Sequence, residues 1–315
     1  MELQGLVVKE QSGFFWVEVG DGAVYMCRLR GRLLEDAQAS DIAAIGDRVR
    51  ITILDDEDHK GLVEEVGKRI SVISRALRTE GSRGAGSPER EHVIIANADQ
   101  ALFVFAATQP VPSSKLLDRF LVVGEKSGIP DLIVVVNKID IADRDAVDKQ
   151  FAPYREMGYP VIYTSAKQRI GVDELTERLS GKISVFTGQS GVGKSSLLNA
   201  VQPGLGRAVK SVSQSTSEGM HTTRDSELVK LATGGYLADT PGIRTLNIWD
   251  VEPEELDAYF RELAPYVSEC RFGDCEHRNE PGCAVRRAVT AGKIHRSRYL
   301  SYVSLRDELE EAFAL

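Results

Sequence analysis

Ile183-Ser184-Val185-Phe186-Thr187-Gly188-Gln189-Ser190-Gly191-Val192-Gly193-Lys194-Ser195-Ser196-Leu197-Leu198-Asn199-Ala200 decides the fold of this chain. A run of strand length ends at Thr187, a glycine-rich loop follows, and from Ser195 the residues suit a helix. Gly188 to Ser195 fits the pattern G-x-x-x-x-G-K-[ST]. Glycines let a backbone curl until its N–H groups converge, and the helix start adds a favourable dipole. Such a cradle takes a nucleotide phosphate. Gly188, Gln189, Ser190, Gly191, Val192 and Gly193 would wrap it, with Ser196 at the helix start. Lys194 would reach the β- and γ-phosphates, and the Ser195 hydroxyl would hold Mg2+.

Upstream, residues 101–106, 132–136 and 161–163 are further continuous apolar runs, with helical segments such as 115–126 between and after them. Buried strands alternating with helices mean a parallel sheet covered on both faces, here expected over residues 93–246. Asn137-Lys138-Ile139-Asp140 stands at the end of the second run, where ligands bind in such sheets. The Asp140 carboxylate can accept two hydrogen bonds from the guanine edge, a pair that adenine does not present. The Lys138 stem can lie over the base. Thr164-Ser165-Ala166-Lys167 follows the third run and resembles a second guanine-contact motif, in which a backbone N–H meets O6. Together these select GTP over ATP.

The order is unusual: the base readers, at 137 and 165, precede the phosphate loop at 188. A sheet needs its strands in place, not in a given order of connection, so the pocket can still form. Asp239-Thr240-Pro241-Gly242 follows the short run 236–238. Asp239 suits a Mg2+-holding role, and the Gly242 N–H could meet the γ-phosphate. That sensor now leads straight into the C-terminal segment. The polar stretch 215–224 should contain a threonine that closes on Mg2+ and the γ-phosphate: Thr223, or Thr222 as the alternative. Ile243 stands where many GTPases carry a water-orienting glutamine, so His221 becomes a candidate for that task, beside the reading of it as a surface histidine.

Two further regions flank this unit. Residues 1–72 read as five short strands separated by glycine-containing turns, which suits a small β-barrel, the OB-fold first among them. Residues 73–92 are expected to be a linker, because 76–91 lose periodicity and are rich in Gly, Ser, Arg and Glu. At the other end, residues 247–315 read as charged and helical. There Cys270, Cys275, His277 and Cys283 offer three thiolates and an imidazole at short gaps, as a closed tetrahedral structural Zn2+ site requires. Arg286, Arg287, Lys293, His295, Arg296 and Arg298 follow, near Tyr299 and Tyr302, with no acid until Asp307. That is a local basic face that could meet RNA phosphate.

Composition narrows the field. A net charge of −8 argues against a protein that coats nucleic acid with bulk positive charge. No apolar run approaches a membrane span and no secretory signal opens the chain, so a cytoplasmic, membrane-free protein is expected. Three of the four cysteines crowd around His277, and in that compartment a metal site is expected rather than a disulfide framework.

With these residues in view, the chain resembles the ribosome small-subunit-dependent GTPase A family of circularly permuted bacterial GTPases. The carriers are residues 137–140, 165–167, 188–195, His221-Thr222-Thr223, 239–242 and 270–285. The resemblance implies an N-terminal OB-fold, a permuted GTPase domain and a C-terminal zinc domain. It implies GTP hydrolysis stimulated by the small ribosomal subunit, late in that subunit's maturation, with ribosomal RNA as partner. It also implies that a hydrophobic residue at 243 is normal. One zinc per chain, Mg2+ with GTP, GTP and GDP as the bound nucleotides, and a monomer complete the expectation.

Overall fold

The computed structural model describes residues 1–31, 33, 41–77, 90–209, 226–238 and 251–313. Strands β1 (Glu2–Gln11), β2 (Phe14–Val19), β3 (Val24–Leu29), β4 (Arg48–Asp55) and β5 (Lys60–Val66) form the N-terminal barrel. Their order is β1-β2-β3-β5-β4, and β4 returns to pair with β1, which closes an OB-like barrel. The β3–β5 pair is parallel; the other four pairings are antiparallel. Alternate side chains point inward, as the two-residue strand period requires: Phe15, Val17 and Val19 from β2, Tyr25 and Cys27 from β3, Val49 and Ile51 from β4. Burial pushes the Cys27 thiol up to about 12, so it is an inert core residue.

Strands β6 (Val72–Leu77) and β7 (Arg90–Ala96) pair as an antiparallel hairpin. Sequence reading placed a linker over 73–92; the two ends of that stretch are strands instead. Ile73 and Ile95 anchor them by packing into the main core. Their short apolar runs are masked in the sequence by the Gly- and Ser-rich residues between them, which lie outside the described residues. The barrel rests on this hairpin at Gly46. Its φ is +86°, and a Cβ there would sit 2.0 Å from the Ala96 carbonyl oxygen, so no other residue fits. Beside it, Arg69 donates to both carboxylate oxygens of buried Asp47, at 2.9 and 2.8 Å.

The parallel sheet runs β10 (Val161–Tyr163), β9 (Asp131–Asn137), β8 (Gln100–Ala106), β11 (Ile183–Gly188), β13 (Tyr236–Ala238). Its strands are mostly apolar because both faces are covered. On one face Phe103, Phe105, Val134 and Val136 meet Leu117, Phe120, Leu121, Val147 and Phe151 from helices Ser114–Lys126 and Arg144–Glu156. On the other, Leu102, Val104, Ile133 and Val135 meet Val172, Leu175, Leu179, Leu197 and Leu198 from helices Val172–Leu179 and Lys194–Val201.

A further strand stands outside the sequence expectation. β12 (Ser226–Lys230) pairs antiparallel with β13 on one side and with β1 on the other. Barrel and parallel sheet are thereby one continuous eleven-stranded sheet. Lys9–Glu227 (3.5 Å) and Lys230–Glu18 ion pairs flank the seam.

After Val251 a 3-10 helix (Pro253–Tyr259) and helices Ala264–Val267, Ala284–Thr290 and Arg296–Phe313 build the C-terminal unit. Leu256, Phe260, Leu263, Val285, Tyr302, Leu305 and Leu309 form its core, and Val122 of helix Ser114–Lys126 is packed into it. Among the described residues no helix is long and apolar enough to cross a membrane.

Candidate nucleotide and metal sites

β9, β10 and β11 are parallel in the sheet, so the segments that follow them emerge along one edge. Asn137 ends β9 and is 1% exposed. Its amide nitrogen donates to the Val192 carbonyl of the glycine-rich loop at 3.0 Å. Its oxygen accepts from the Thr164 hydroxyl and the Ala166 N–H, each at 3.3 Å. One side chain thus joins the three motifs that the sequence holds tens of residues apart. Gly193, with φ +94°, is bound to be glycine: a Cβ there would lie 2.5 Å from the Asn137 nitrogen.

Lys138 adopts a left-handed backbone (φ 64°), which swings its side chain across the loop. Its ammonium donates to the carbonyls of Gln109 and Gly191, both at 2.6 Å. Asp140 accepts from the Ser165 hydroxyl at 2.7 Å, and that hydroxyl also accepts from the Gln168 N–H at 3.1 Å. The carboxylate is therefore aimed by a buried serine from the neighbouring motif. Within the glycine-rich loop, Lys194 Nζ donates to the carbonyls of Gly188 (2.6 Å) and Gln189 (2.7 Å). Ser190, Gly191, Ser195, Ser196 and Lys167 are exposed on this edge. His221, Thr222, Thr223, Asp239, Gly242 and Ile243 lie outside the described residues. Thr164 has a task that its motif does not reveal, and Gln109 contributes a backbone carbonyl that no side-chain motif records.

The second constellation is in the C-terminal unit. One ligand atom from each of Cys270, Cys275, His277 and Cys283 lies within 4.8 Å of the others. His277 Nδ1 is 3.6 Å from Cys270 Sγ and 3.5 Å from Cys283 Sγ, and those sulfurs are 4.0 Å apart. Tetrahedral zinc with bonds of about 2.0–2.3 Å sets ligand separations near these values. The Ala284 N–H points at Cys270 Sγ (3.3 Å) and the Arg286 N–H at Cys283 Sγ (3.4 Å), donors that favour thiolate. Burial opposes the Cys270 thiolate, but the amides of Ala284 and Val285, Cys275 and the His277 ring hold its pKa below the usual thiol value. Burial pushes Cys275 up to about 12 and raises Cys283. His277 Nε2 faces Asp257 Oδ2 at 3.0 Å, a partner that no spacing motif reveals.

The expected basic face is smaller than its residue count. Arg286, Arg287, Lys293, His295 and Arg296 are exposed. Arg298 is 1% exposed and is paired with Asp118 and, at 2.6 Å, with Glu262. Tyr299 and Tyr302 donate inward, to the carbonyls of His277 (2.7 Å) and Glu276 (3.1 Å). A helix buries one side of any basic run, and Arg298 is on that side.

Residues 68–249 match the family described as RsgA GTPase, and residues 4–63 match the RsgA N-terminal domain. The chain is 40% identical over 307 residues to the small ribosomal subunit biogenesis GTPase RsgA of Gemmatimonas aurantiaca, covering 97% of each. It is 38% identical over 308 residues to the protein of the same name from Alkaliphilus metalliredigens, covering 98% of each. Among solved structures, YjeQ from Thermotoga maritima superposes with a TM-score of 0.77 at 37% identity, over 98% of this chain and 99% of that one. YloQ, described as a circularly permuted GTPase, superposes with a TM-score of 0.74 at 31% identity, over 99% and 96% of the two chains.

Proposed function

This chain belongs to the RsgA GTPase family, and on that footing we propose that it hydrolyses GTP to GDP and phosphate in the biogenesis of the small ribosomal subunit. The observation that carries the reading is the convergence on Asn137 of the base-reading motifs and the glycine-rich loop. That convergence joins a carboxylate suited to guanine, Asp140, to a loop suited to phosphate. Asn137, Lys138, Asp140, Ser165, Ala166 and Lys167 would surround the base. Residues 188–196 would hold the phosphates, with Lys194 against the transferring group.

Mg2+ would supply charge neutralisation at the phosphates when bound, and Ser195, Thr223 and Asp239 are the residues proposed to hold it. Gly242 would sense the γ-phosphate. Cys270, Cys275, His277 and Cys283 are proposed to hold one structural Zn2+, which their donor types and separations fit. The small subunit, through ribosomal RNA, is the proposed partner. Arg286, Arg287, Lys293 and Arg296 are exposed cations that follow the metal ligands in the chain and could meet the RNA phosphates. The protein is proposed to act as a cytoplasmic monomer.

The test is GTP turnover by the purified protein with and without purified small subunits. A slow basal rate that rises on adding subunits is expected. Turnover that ignores the subunits, or that accepts ATP equally, would overturn the proposal.

A further inference from the structure

Asp257 lies in the 3-10 helix Pro253–Tyr259, ahead of the four candidate metal ligands in the chain. It is 9% exposed, and its carboxylate meets His277 Nε2 at 3.0 Å. The opposite ring nitrogen, Nδ1, faces the sulfurs of Cys270 and Cys283. His277 itself is fully buried and takes a left-handed backbone (φ 63°), an uncommon conformation for a residue with a side chain. Its carbonyl accepts from Tyr299, and its ring packs beside Tyr302. The ring is therefore held from the backbone, from one edge and from behind, so that Nδ1 alone is presented to the thiols.

A carboxylate on the far nitrogen does two things to a ligating imidazole. It fixes the tautomer, because the N–H must face the carboxylate, which leaves the other nitrogen's lone pair free for the metal. It also raises the basicity of that lone pair. The 3-10 helix that carries Asp257 follows the segment containing Asp239 and Gly242, and it is further tied down by the Arg306 guanidinium, which donates to the Pro253 carbonyl at 2.7 Å.

We propose that Asp257 positions His277 for zinc and, through that bond, makes the metal centre the anchor of the 3-10 helix Pro253–Tyr259. The proposal rests on zinc occupying the Cys270/Cys275/His277/Cys283 cluster. Asp257 touches no zinc itself; it acts through His277.

The experiment measures zinc affinity of the full chain by competition with a chromophoric chelator, for wild type, Asp257→Ala and Asp257→Asn. Backbone amide exchange over 253–259, where every residue but Pro253 carries an N–H, is read in parallel. Asp257→Ala should bind zinc about 10–100-fold more weakly. Asp257→Asn keeps an acceptor oxygen but loses the charge, and should fall between the two. In wild type, chelation should speed exchange across 253–259; in zinc-saturated Asp257→Ala that exchange should already be fast. Should the alanine variant fail to fold, the asparagine variant decides: affinity equal to wild type overturns the positioning role. Exchange over 253–259 that ignores zinc in wild type overturns the anchoring role. A wild-type chain that takes up no zinc removes the cluster reading itself, a result separable from the other two.

Discussion

The guanidinium of Arg298 is buried against the carboxylate of Asp118, a residue 180 positions earlier in the chain. The same guanidinium is held by Glu262 and stacks over Phe260 at 4.6 Å, while Tyr154 donates to Asp118 at 2.7 Å. Burial disfavours the charge on Arg298, but the two carboxylates hold it firmly protonated. This cluster fastens the C-terminal unit to helix Ser114–Lys126 of the GTPase core. Arg298→Met should destabilise the protein by about 3–5 kcal/mol, because Asp118 and Glu262 are left buried without a cation. Urea unfolding measures it. Adding Asp118→Leu and Glu262→Met should restore much of the loss; a single-variant cost under about 1 kcal/mol would show that the cluster is not a fastening.

Asn137→Ala removes three hydrogen bonds at once and leaves the Val192 carbonyl, the Thr164 hydroxyl and the Ala166 N–H without their partner. About 1–3 kcal/mol per stranded buried group is at stake, so GTP affinity should drop by at least tenfold. Calorimetric titration with a slowly hydrolysed GTP analogue reads this directly. Undiminished affinity would mean that the three loops hold their positions without the asparagine.

Asp140→Asn should weaken GTP binding and favour xanthine nucleotides, because the exchanged amide complements the xanthine edge. Ser165, at 2.7 Å from Asp140, remains able to bond the new side chain, so the variant should keep its fold. Competition between the two nucleotides at equal concentration is the measurement. Unchanged preference for GTP would take Asp140 out of base reading.

Metal removal should be severe and pH-dependent. With Cys275 pushed up to about 12 and Cys283 raised, these two thiols are protonated near neutrality, so zinc uptake must release protons. Affinity should therefore fall as pH is lowered. Structural zinc supplies folding energy on the order of 10 kcal/mol, so Cys275→Ala should lose the metal and expose residues 251–313 to protease. One zinc per wild-type chain by elemental analysis is the companion result. A metal-free chain with an equally resistant C-terminus would refute this.

His221 lies outside the described residues, and its role is a hypothesis from the sequence: Ile243 cannot orient water. Small subunits should speed hydrolysis chiefly by docking His221 beside the attacking water, a contribution of about 10²–10⁴ in rate. His221→Ala should keep GTP affinity, subunit binding and the weak basal rate, yet lose most of the stimulated rate. Stimulation as strong as wild type would assign the water to backbone or to the ribosome.

The motifs and the alternating strands and helices were legible in the linear chain because each depends on local periodicity and short spacing. Gly188 to Ser195, the run ending at Asn137 and the Cys/His spacing carry their chemistry within a few residues. The strands of the barrel were equally plain, since one buried face leaves a two-residue alternation. Other features depend on contacts across the fold. β12 became a strand because β1 and β13 offered it edges on both sides. Arg298 looked like part of a basic surface, and only helix packing turned it toward Asp118 and Glu262. Asp257 found His277 across 20 residues, and Asn137 found Val192 across 55. No periodicity encodes such pairs: a buried charge or amide takes whichever partner the tertiary structure brings within hydrogen-bond reach, because burial without one costs too much.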